Sequence, residues 1–156
     1  MSGAGPVRGA ETSAVGIVEV APRLVAVVRR SVGYAGMADA QRRARPLLEA
    51  ALRAAGVVPD GPPLTIWRRL DGGLVDYAPG LFIPRPVAED GEVSLLTLPA
   101  GRAAHLRVRG SYASLPAAWA LLHAADTAGP FAGLNWEVYT RVGADAAEID
   151  LYALLA

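Results

Sequence analysis

Glu137 stands in Trp136-Glu137-Val138-Tyr139, a carboxylate between large apolar neighbours on a stretch that reads as a strand. Buried without a partner, such a group resists ionisation, which suits it to act as a general base or as the counter-charge of a bound cation. Side chains alternate across a strand. Glu137, Tyr139 and Arg141 therefore share one face, and Trp136, Val138, Thr140 and Val142 the other, taken as the core side. In the last strand Ile149, Leu151, Ala153 and Leu155 form an apolar face under the helices, opposite Glu148, Asp150, Tyr152 and Leu154. In the first half Leu64, Ile66 and Leu70 point inward, while Thr65, Trp67 and Arg69 share the outer face with Asp76, Ala78, Gly80 and Phe82. The face turned from the helices thus gathers Trp67, Phe82, Tyr139 and Tyr152 beside Glu137, with Gly80 leaving room. Aromatic side chains on such a face mark a ligand surface or an interface. The structural alternatives are a filled seam between halves and a salt bridge of Glu137 to Arg69 or Arg141. His105, alongside Arg107 and Arg109, is the remaining candidate ligand contact.

Other chemistries find no residues to carry them. The chain has no cysteine, and its two histidines, His105 and His123, fall on different expected elements, so no metal site is expected. Glycine-rich phosphate loops and serine-hydrolase elbows are absent, and no cofactor is expected. Acidic and basic residues balance at 15 each, which argues against a DNA-binding face and against an anionic-membrane anchor. No stretch approaches the ~20 apolar residues that span a bilayer. Residues 1–14 lack a basic region followed by an apolar one and read as a disordered lead-in, so a cytoplasmic protein is expected.

The elements that must position these side chains follow from periodicity and punctuation. Val15–Val20 and Leu24–Val28 read as strands parted by Ala21-Pro22, and Met37–Ala55 as a helix ended by Gly56. Pro46 either kinks that helix or starts it. Leu64–Leu70 and Leu74–Ile83 form a hairpin over Asp71-Gly72-Gly73. Val93–Leu98 and Ala103–Val108 are strands. Ser114 and Pro116 open a helix reaching about Ala128, with Trp119 in the core and His123 at the surface, and Asn135–Val142 and Glu148–Leu155 close the chain. The order is strand, strand, helix, strand, strand, twice over. Pro63–Pro84 aligns without a gap on Asn135–Ala156 at a constant offset of 72 residues, and Gly33-Tyr34 echoes Ser111-Tyr112. The expected fold class is α+β: two fused strand-helix-strand-strand repeats (15–84 and 93–156, link 85–92) with pseudo-twofold symmetry, antiparallel sheets and a ligand groove between the halves, in one domain over 15–156.

Pro99-Ala100-Gly101-Arg102-Ala103-Ala104, Val108-Arg109-Gly110-Ser111-Tyr112, Leu115-Pro116-Ala117-Ala118-Trp119 and Trp136-Glu137-Val138-Tyr139 resemble the GyrI-like family. That family includes gyrase-inhibitory proteins and the effector-binding domains of multidrug-responsive regulators. The resemblance implies a groove for bulky, lipophilic, often cationic aromatics, with a glutamate at the position of Glu137. A further branch hydrolyses cyclopropane-bearing DNA-alkylating natural products, and there Glu137 would be the general base and Tyr139 its catalytic companion. No helix-turn-helix pattern precedes Val15, so a stand-alone binding protein without direct DNA contact is expected. Trp67 replaces a smaller aromatic of the family. The neutral net charge disfavours a protein partner such as gyrase.

Overall fold

The computed structural model describes residues 11–127, 129–143 and 147–156. It is α+β, with ten antiparallel strands and two α-helices among the described residues. The strands are β1 (Glu11–Thr12), β2 (Gly16–Val20), β3 (Arg23–Val28), β4 (Arg30–Val32), β5 (Leu64–Arg69), β6 (Val75–Phe82), β7 (Val93–Leu98), β8 (Gly101–Gly110), β9 (Phe131–Val142) and β10 (Ala147–Leu155). The helices are α1 (Met37–Ala55) and α2 (Leu115–Ala124), each entered through one 3₁₀ turn, Tyr34–Gly36 and Tyr112–Ser114.

The chain forms two compact units, one of residues 21–100 and one of 101–156 with the N-terminal segment through Val20. These differ from the repeat boundaries expected from sequence, because β2 and β7 each pair with strands of the other repeat. Past Ala21-Pro22 the chain changes partners: β2 lies on β8, whereas β3 lies between β6 and β7. Of the expected lead-in, residues 11–14 are described. Residues 1–10 lie outside the described residues, but Glu11 and Thr12 pair with Arg109 and Val108, and the Ser13 hydroxyl accepts from the Arg107 N–H.

In the 21–100 unit the strand order is β5-β6-β3-β7, with β4 on β6. α1 lays Ala44, Leu48 and Leu52 on Ala26, Val28, Leu81 and Ile83, and this apolar layer is the unit's core. The helix continues through Pro46 and does not begin there. Gly56 ends it at φ 67°, in the left-handed region that glycine enters without a Cβ penalty, and the Val57 N–H bonds the Leu52 carbonyl.

In the other unit β8 is flanked by β10 and, along its length, by β2 and β1, while β9 pairs with β10. α2 buries Ala118, Trp119 and Leu122 and ends at Ala124, short of Ala128, which lies outside the described residues. Ser114 is its N-cap residue, but its hydroxyl donates to the Ser111 carbonyl instead of capping the helix.

Residues directly opposite on neighbouring strands share a face, and that register overturns half of the expected face assignment. Leu151 lies opposite Glu137 and Ile149 opposite Tyr139, so both candidates face the α2 side. Tyr152 lies opposite Trp136 and Asp150 opposite Val138, on the far face. Thr140 is an extra residue where the register shifts. In the first half Trp67 pairs with Tyr77 and Thr65 with Pro79, whereas Gly80 and Ala78 pair with Leu64 and Ile66. Trp67 is therefore not on the face of Gly80 and Phe82. Alternation sorts side chains into two sets but does not say which set a helix will cover.

Candidate functional site

Glu137 is 7% exposed. Trp119 donates its indole Nε1–H to Oε1 at 3.0 Å, and Tyr139 donates its hydroxyl to Oε2 at 2.9 Å. Burial pushes the carboxyl's pKa up, and these two donors only partly oppose the shift. Among the described residues no cation pairs with it. Arg141 lies opposite Glu148, and the Arg69 guanidinium sits 5.8 Å from the Trp67 ring centre, so neither expected salt bridge forms. The Tyr139 ring meets Tyr112 edge-on at 6.2 Å, and Tyr112 is 49% exposed. A buried carboxylate thus connects through one phenol to a half-exposed aromatic.

The repeat explains why this site exists. The two helices start 78 residues apart, so Gln41 and Trp119 are each the fifth residue of their helix. Thr65 and Glu137 correspond at the offset of 72. In each unit the fifth helical residue donates to that buried polar strand residue: Gln41 Nε2 to Thr65 Oγ1 at 2.6 Å, and Trp119 to Glu137. Gln41 also donates to the Tyr77 hydroxyl at 2.9 Å. One unit therefore carries a neutral cluster where the other carries an acid. Trp67, partly buried, is on the helix-facing side of its unit, as Tyr139 is in the other.

The remaining candidates belong elsewhere. Tyr152 and His105 are on the far face of their unit, in a row Trp136–Tyr152–His105 across three strands, with Tyr152 stacked on Trp136 at 5.3 Å. Below them Asp150 accepts from Arg107 Nε and Nη2 at 2.9 and 3.0 Å and from Thr140 at 2.6 Å, and its Oδ1 lies 2.7 Å from His105 Nε2. Burial alone would raise Asp150, yet Arg107, Thr140 and His105 hold it down to about 2. This acid is fully committed to its partners. Gly80 and Phe82 are packing residues. A Cβ on Gly80 would come within 2.7 Å of the Ala26 carbonyl oxygen, and the buried Phe82 lies under the Arg23 guanidinium at 4.0 Å. A hollow of about 600 Å³ beside Arg45, Leu52, Arg53, Val57 and Pro59 contains none of the candidates.

From sequence Trp119 reads as core only, and Tyr112, Gln41, Thr65 and Tyr77 do not stand out as site residues. The signal was present in the echo of Gly33-Tyr34 by Ser111-Tyr112, which carries the 78-residue helix offset. Among the described residues no cluster of histidine and carboxylate side chains is arranged to hold a metal ion, and no helix is long and apolar enough to cross a membrane.

No family model and no curated protein sequence matches this chain. Solved structures do. The EcmrR C-terminal domain matches with a TM-score of 0.77 at 14% identity, covering 92% of this chain and 97% of that one. SAV2435 bound to tetraphenylphosphonium matches at 0.67 and 9% identity, covering 92% and 94%. A Listeria innocua hydrolase matches at 0.58 and 13% identity, covering 91% of each. Against EcmrR in its DNA complex the chain spans 59% of that protein's length. The chain has the GyrI-like fold.

Proposed function

We propose that this protein binds bulky aromatic small molecules, lipophilic cations included, with Glu137 as the counter-charge and Tyr139 and Tyr112 as aromatic walls. The observation that carries the reading is a buried carboxylate held by two neutral donors and, among the described residues, by no cation. Keeping that group ionised is costly until a positive charge arrives beside it. A ligand cation is the natural compensation, and SAV2435, of the same fold, is bound to such a cation. Trp67, the repeat counterpart of Tyr139, is the stacking residue of the first half. On this reading it is a sequestering domain that works in the cytoplasm.

Tetraphenylphosphonium and the neutral triphenylphosphine oxide test the proposal on Glu137→Gln, which keeps the shape and removes the charge. A cation about 5 Å from the carboxylate at an effective dielectric near 20 gains about 3 kcal/mol, so the cation should weaken by roughly 10²-fold while the neutral compound is unaffected. Equal losses for both would refute the counter-charge role.

A second reading draws on the raised pKa of Glu137 and on the hydrolase of the same fold. A carboxylate made more basic by burial can take a proton from water as its oxygen attacks the strained carbon of a cyclopropane-bearing electrophile. The ring carbon–carbon bond breaks, and the electron pair passes to the conjugated carbonyl. Mass analysis for a water adduct after incubation with such an alkylator separates turnover from binding.

A further inference from the structure

We infer that the outer edge of β7 is a self-pairing site for a second copy of this chain, held closed by Glu89. β7, Val-Ser-Leu-Leu-Thr-Leu, contains no charge, proline or glycine, and among the described residues it is the last strand of its sheet, paired on one side only with β3. Natural edge strands usually carry a charge or a proline that discourages pairing. Here that protection comes from outside the strand: the Leu95 N–H donates to Glu89 Oε2 at 3.1 Å.

The register shows which groups are at stake. The Leu24 carbonyl accepts from the Ile83 N–H, so Leu24, Ala26 and Val28 turn their backbone groups toward β6. Arg23, Val25 and Val27 then face β7, and their partners there are Leu98, Leu96 and Ser94. Backbone groups alternate along a strand. Val93, Leu95 and Thr97 therefore point outward, in agreement with the bond to Glu89. The Val93 N–H closes onto the Asp90 carbonyl, and Thr97 is exposed.

Two copies meeting edge to edge in antiparallel fashion would place Leu95 opposite Leu95 of the second copy, with Val93 opposite Thr97. The central bonds of that pairing need the very N–H that Glu89 occupies. A twofold axis there would also bring the two Glu89 carboxylates together. Glu89 is the carboxylate on this edge, while Glu92, the residue just before β7, is tied to Arg30 and Arg43. Leu95 and Leu96, on opposite faces of the sheet and each only partly buried, are what a second strand would cover.

Sedimentation of the full chain over a dilution series tests this on three proteins. The wild type should be monomeric. Glu89→Ala should dimerise, with self-association tightened about tenfold or more through the freed Leu95 N–H and the lost repulsion. Adding Thr97→Pro, which removes an outward donor without touching the bonds to β3, should restore the monomer. Circular dichroism confirms that each variant is folded. A Glu89→Ala protein that stays monomeric overturns the proposal, as does a dimer that Thr97→Pro leaves intact or a wild type already dimeric.

Discussion

Replacing Trp119 with Phe keeps an aromatic ring on α2 but removes the N–H that reaches Glu137 Oε1 at 3.0 Å. Two losses follow, and pH separates them. The smaller ring leaves a void in a buried position, a cost that does not depend on protonation. The lost hydrogen bond does: about 1.5–3 kcal/mol when the acceptor is charged against about 0.5–1.5 when it is neutral. The folded-state pKa of Glu137 is raised above its ordinary 4.5, so the folded protein holds that proton more tightly than the unfolded chain. The stability so gained is present below the ordinary value and is lost as pH rises through the folded value. Trp119 opposes the shift, so without it the pKa climbs further and more stability is lost on the alkaline side. The variant should therefore be destabilised at every pH, by about 1–1.5 kcal/mol more where Glu137 is ionised than where it is protonated, which is roughly 2–6 °C in Tm for a chain of this size. Melting curves of wild type, Trp119→Phe and the same change in a Glu137→Gln background measure it. In that background the pH-dependent part should vanish and the void cost remain. A penalty that is the same at all pH values would show that the indole does not serve the carboxylate.

The depressed Asp150, at about 2, contributes stability above its ordinary 3.8 that is lost as pH falls through the folded value; acid unfolding should therefore steepen between these limits, and Asp150→Asn should flatten that part of the curve while lowering stability at neutral pH. Trp67→Ala should weaken planar aromatic ligands by about 1–3 kcal/mol in calorimetry with the fold retained; a lower Tm with unchanged affinity would make Trp67 a core residue only. Gly80→Ala drives a Cβ to within 2.7 Å of the Ala26 carbonyl oxygen, and should cost about 1–3 kcal/mol of stability by overpacking, read in urea unfolding; a neutral result would mean that β3 and β6 can separate.

By itself the sequence determined the duplication and the longer elements, though not the short strands β1 and β4 or the end of α2. Punctuation at Ala21-Pro22, Gly56 and Asp71-Gly72-Gly73 sets where segments stop, and these are local effects of backbone freedom that no distant contact needs to supply. The α1 limits, Met37 and Ala55, agree with the periodicity, and Glu137 was legible as a buried acid because only a specific environment tolerates a carboxylate between Trp136 and Val138. Tertiary structure decided which face each strand shows to a helix. Trp136 and Val138 are more apolar than Glu137 and Tyr139, so pattern alone sends them to the helix side. The fold does the reverse, and on that side the Trp119 N–H of α2 reaches the acid, while Tyr139 on the same strand face supplies the second donor. The same holds for partner exchange. Whether β2 pairs with β8 or with its neighbour β3 rests on hydrogen bonds between segments some 85 residues apart, such as Ile17 and Ala104. That choice leaves no trace in local spacing, because any edge of the right length would satisfy the same backbone groups.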